Sequence, residues 1–141
     1  MKEAIQEKIL GYLLQMDVDT EPAEEGVMVV RYGSTLVFIS CFEVEGRGYV
    51  RLAASMLLGI RLKMELLSRL LKLNSRVLFG SFQLFDDETL SFAHTLPAEN
   101  LAFETFKHAL DYVGRVADDH DEALQAIVGG SRGEELLDTS I

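Results

Sequence analysis

Three histidines and one cysteine are the residues of this chain with the widest chemical range. His94 stands in phase with Leu90, Phe92 and Leu96 in an alternating run. An imidazole there can act as a general base, but a histidine at the rim of an apolar core is far more often a hydrogen-bonded packing residue. His108 falls off the apolar stripe of the last predicted helix and is expected in solvent. His120 sits in Asp118-Asp119-His120-Asp121-Glu122. A helical metal site needs ligands one turn apart, and those positions hold Val116 and Leu124, so the cluster reads as a solvated acidic turn. Cys41 lies in the apolar run TLVFISCF and, being alone, can form neither an internal disulfide nor a multi-cysteine metal site. No phosphate-cradling glycine loop, zinc-ligand spacing or nucleophile elbow occurs. The serines and threonines have no histidine and carboxylate beside them in sequence, although a triad is assembled by the fold rather than by the sequence. The expectation is a binding protein, not an enzyme, with no cofactor and no metal.

The totals narrow the partners. The chain has 141 residues, a formal charge of −10, a pI near 4.7 and 48% hydrophobic residues. One domain with a real core is expected over residues 1–130, followed by a mobile acidic tail over 131–141. Phosphate backbones repel such a protein, which argues against nucleic acid. No run of about 18 apolar residues is present, and the N-terminus lacks a signal-peptide core. A cytoplasmic protein that neither crosses nor sits on a membrane is therefore expected. The charge is uneven. From Arg47 to Arg76 there are seven basic residues, Arg47, Arg51, Arg61, Lys63, Arg69, Lys72 and Arg76, against the single acid Glu65. Such runs usually mark a solvated face; the alternative is a basic strip that attracts an acidic segment of a partner.

The elements that must position these residues follow from periodicity. Residues 2–16 carry Ile5, Ile9, Tyr12, Leu13 and Met16 at helical spacing. DVDTEPAEE, residues 17–25, is acidic, contains Pro22 and reads as an exposed linker. A strand over 26–32, a turn at Gly33-Ser34, a strand over 35–42 apolar on both faces, a glycine-bearing turn and a strand over 49–56 make an antiparallel meander. After the central helix, strands over 76–84 and 89–96 flank the turn Asp86-Asp87-Glu88, and Pro97 ends the second. Asn100 is the expected N-cap of the last helix. The order α-β-β-β-α-β-β-α predicts an α+β domain with an antiparallel five-stranded sheet packed by helices.

The central helix, GIRLKMELLSRLLKLN over 59–74, has two apolar faces. Ile60, Met64, Leu67 and Leu71 fall on one, and Leu62, Leu66, Leu70 and Leu73 on the other. A surface helix of a monomer needs only one. Leaving four leucines in water forgoes ~1.5–3 kcal/mol each. A helix with two apolar faces must be sandwiched inside its own domain or meet another molecule, and the second is the expectation here.

The block Asn74…Leu78…Gly80-Ser81-Phe82-Gln83-Leu84, then Asp86-Asp87, then Leu96-Pro97 leading into an acidic last helix, resembles the type III secretion chaperone-like fold, and within it the YbjN-like proteins. The resemblance covers residues 3–130. It implies a small acidic homodimer that binds extended segments of other proteins without a cofactor, the second helix commonly building the dimer contact. The turn Asp86-Asp87-Glu88 lacks the glycine often found there. On this reading Leu62, Leu66, Leu70 and Leu73 form the dimer interface, and Ile5, Ile9 and Leu13 offer a peptide-binding strip. A rival reading is a small-molecule sensor or carrier, with Phe38, Phe82, Phe92, Phe103 and Phe106 lining a pocket between the sheet and the last helix.

Overall fold

A computed structural model describes residues 1–24 and 26–128. The elements are α1 (Lys2–Met16), β1 (Thr20–Glu24), β2 (Val27–Tyr32), β3 (Thr35–Val44), β4 (Arg47–Leu57), α2 (Met64–Asn74), β5 (Ser81–Leu84), β6 (Leu90–Pro97) and α3 (Phe103–Val128). All strand pairs are antiparallel, in the spatial order β1-β2-β3-β4-β6-β5. The α+β class holds, with six strands in place of the five expected. The extra strand, β1, lies within the acidic stretch predicted to be a linker. Its sequence, TEPAE, has no apolar alternation because it is an edge strand, where charge and proline are favoured over apolar pattern.

Tight turns set the register. Gly33-Ser34 joins β2 to β3 with a positive φ of 59° at glycine only, as a II′ turn demands. Glu45-Gly46 joins β3 to β4 with positive φ at both residues. One face of the sheet is covered. Val37, Ile39 and Cys41 of β3 and Val50, Leu52, Ala54 and Met56 of β4 are buried beneath α1 and α3. The alternate positions Phe38, Ser40 and Phe42 are only half-buried and Arg51 is exposed. The expectation that the 35–42 strand is covered on both sides is thus corrected: helices lie on one face. On the other face the Arg51 guanidinium sits 5.1 Å from the Phe42 ring centre and donates to the Thr95 hydroxyl at 3.2 Å.

The helices differ from expectation mainly at their starts. The central helix begins at Met64, five residues after Gly59, with Lys63 extended before it. Asn100 is not a cap; it adopts a left-handed turn with φ of 60°, and α3 starts at Phe103. Residues 76–80 do not extend β5, because their N–H groups are used elsewhere. Arg76 and Val77 donate to the Leu73 carbonyl and Leu78 donates to the Tyr112 hydroxyl at 2.8 Å. Gly114 lets α3 approach the sheet: a Cβ there would lie 2.5 Å from Cγ of Tyr32. Gly129-Gly130, the pair expected from sequence to end the last helix, and the tail over 131–141 lie outside the described residues.

Candidate functional site

Burial decides which of the residues proposed from sequence can meet a partner. Ile5, Ile9 and Leu13 are 8%, 0% and 1% exposed, locked between α1 and the sheet. They build the core rather than a free strip, because α1 turns its strongest apolar row inward. Its outer side still carries Leu10 at 44% and Leu14 at 75% exposure. These two border a cavity of about 390 Å³ that also takes in Val18, Pro22 and Met28. A second hollow, about 380 Å³, continues along α1 past Leu10, Pro22 and Met28 to Gln6 and Glu3. Shared walls make the two one apolar groove between α1 and the β1–β2 edge. Asp17 opens it by ending α1 in a left-handed turn (φ 55°, N–H to the Leu14 carbonyl), which reverses the chain so that β1 runs back beside the helix.

On α2 the inward face is Leu66, 0% exposed, and Leu70, 6% exposed, packed in the chain's own core. Leu73 is half-buried and Leu62, ahead of the helix, is exposed. The inward position of Leu66 and Leu70 follows from the seat of α2 against α3 and β5, which periodicity alone does not reveal. The face left in solvent is Met64, Leu67 and Leu71, at 79%, 36% and 72% exposure.

The sheet edges are blunted. Phe82 of the edge strand β5 donates its N–H to Oδ1 of Asn74 at 2.7 Å, and its carbonyl accepts from Nδ2 of Asn74 at 3.3 Å. The amide thus takes the place an added strand would occupy. At the opposite edge Pro22 has no N–H to offer, and the register slips between Pro22 and Glu24.

The residues with catalytic range are placed in quiet settings. Burial pushes the Cys41 thiol up to about 11, so it stays protonated at neutral pH despite the opposing charge of Lys2. His94 lies 4.6 Å, ring to ring, from Phe79, and burial lowers its pKa. His108 also meets Phe79, edge-on at 5.7 Å, and His120 meets Phe82 edge-on at 5.8 Å. Among the described residues no group of three or more histidine, cysteine or acidic residues is disposed to hold a metal. Phe82, Phe92 and Phe106 are packed core, and Phe103 lies edge-on to Tyr12. No helix among the described residues is long and apolar enough to cross a membrane.

The family model TY-Chap1, described as T3SS (YopN, CesT) and YbjN peptide-binding chaperone 1, matches residues 3–136. The chain belongs to this family. Two solved structures share the TY-Chap1 fold at low identity. The chain matches one in the crystal structure of the ExsC–ExsE complex at TM-score 0.67 and 12% identity, covering 88% of this chain and 96% of that one. YbjN from E. coli matches at TM-score 0.56 and 12% identity, covering 84% of this chain and 92% of that one. No curated protein matches in sequence. TY-Chap1 membership makes this a chaperone-like, protein-binding module. The resemblance stated from Asn74 to Pro97 is thereby confirmed.

Proposed function

We propose that the protein is a non-enzymatic, homodimeric chaperone-like module that holds an extended apolar segment of another protein. The observation that carries this reading is the groove along α1, where Leu10 and Leu14 stand exposed beside Val18, Pro22 and Met28. Apolar surface of this kind, bordered by polar residues, marks interaction sites. Blunted sheet edges favour side-chain capture in the groove over addition of a strand. ExsC, a fold neighbour, is crystallised in complex with ExsE. The exposed row Met64, Leu67 and Leu71, with Leu62, is the surface offered to the second copy.

The groove is tested with a permanently unfolded, labelled model protein and fluorescence anisotropy. The full chain binds it, and Leu10→Glu/Leu14→Glu weakens binding by about tenfold or more, because two anchors leave the apolar contact. Circular dichroism of the variant is unchanged, both side chains being exposed. Equal binding by parent and variant removes the groove from the reading.

A further inference from the structure

A second surface differs in chemistry from the α1 groove. Between α2 and α3 lies a hollow of about 480 Å³ lined by Arg69, Lys72, Leu73, Arg76 and His120. Leu73, half-buried, is its apolar floor; His120 is held in the wall by its edge-on contact with Phe82. Arg69, Lys72 and Arg76 are exposed, and among the described residues none of the three has a carboxylate within ion-pairing distance. This concentration stands on a chain with 23 acidic and 13 basic residues. Three like charges set close together repel, and the many carboxylates elsewhere do not neutralise them. We infer that this hollow takes an acidic segment of the bound partner protein, its carboxylates meeting Arg69, Lys72 and Arg76 and an aliphatic side chain meeting Leu73. The inference rests on the segment-holding function proposed above and adds the chemistry of the segment.

Size and field argue for a peptide. Arg69 and Lys72 stand on the last turns of α2 and Arg76 just past its end at Asn74, so three cations from successive turns line one hollow rather than a single point. Carboxylates on one side of an extended chain recur every ~6.6–7 Å and on a helix face every ~5–6 Å, so two or three of them span the cations. A long polyanion such as nucleic acid is repelled by the net charge of −10 before it reaches so short a patch.

The test uses two labelled synthetic peptides, one with alternating Glu and Leu and its twin with Gln for every Glu, titrated with the full chain. The acidic probe binds at least about tenfold more tightly than its twin in about 50 mM salt, and the preference shrinks in about 500 mM salt. Arg69→Ala/Lys72→Ala/Arg76→Ala abolishes the preference and leaves binding of the neutral twin unchanged, whereas Leu14→Glu weakens both probes. Equal binding of the two probes by the parent overturns the acidic-segment inference while segment holding stands. Binding of neither probe overturns both. Displacement of the acidic probe by millimolar inorganic phosphate means an ion site and overturns the inference. So does a tenfold gain in probe affinity on neutralising Glu134, Glu135 and Asp138, which identifies the chain's own tail as occupant. Dissociation of a dimer by the triple substitution assigns the hollow to a second copy and overturns it as well.

Discussion

His94 is packed at the rim of the core. Its ring lies over Phe79 and opposite Leu52 of β4, and burial alone lowers its pKa from the ordinary 6.5. The folded protein keeps this ring neutral where the unfolded chain would charge it. As pH falls below about 6.5 the unfolded state takes up the proton first, so stability drops with it; above that pH the group contributes no slope. His94→Gln should therefore show a smaller fall in Tm between about pH 7.5 and about pH 5.5 than the parent. An identical fall in both assigns the acid sensitivity to other groups. The in-phase position of His94 with Leu90 and Phe92 made its packing role legible in the sequence. The pairing of His120 with Phe82 was not, because those rings come from elements 38 residues apart in the chain; the cations Arg69, Lys72 and Arg76 were visible as a basic run, but not the wall that His120 gives their hollow.

At the scale of elements, the sequence was most informative where periodicity is strong and least where an element is defined by its neighbours. The meander from β2 to β4 was legible because its strands are rich in Val, Leu and Phe and its turns carry glycine. β1 was missed because an edge strand needs backbone pairing on only one side and little apolar pattern; Pro22 amid acids was the available signal. The two apolar faces of α2 were visible, but which of them meets the core depends on where α3 lies, a long-range fact. The inner row of α1 was likewise legible as apolar, and its being inward rather than free was not. Asn74 is the residue where one element secures another: its amide closes both main-chain groups of Phe82. Asn74→Ala leaves a partly buried N–H and carbonyl without partners and should cost roughly 1–3 kcal/mol, measured by urea unfolding. A loss within error of zero means that water replaces the amide there.

For the whole molecule, the outward face of α2 is the largest apolar feature the helix leaves uncovered by its own chain. Met64, Leu67 and Leu71 present apolar surface beside the cations of the same helix. A stable pair of copies buries roughly 800 Å² on each partner, so this row needs contributions from its surroundings, and exposed Leu62 supplies one. Sedimentation of the parent should show a dimer, and Leu67→Asp/Leu71→Asp should return monomers with unchanged circular dichroism, since these side chains are not part of the core. A parent that sediments as a monomer at high concentration ends the dimer reading.

A holder of sticky, extended chains faces a hazard of its own. Any row of free main-chain groups on its rim would accept such a chain as the next rung of a growing stack. Here the amide of Asn74 stoppers one rim and Pro22 starves the other of a donor. On the function proposed above, this directs a cargo toward side-chain anchorage, from which it can be let go, and away from a ladder that would extend from one molecule to the next.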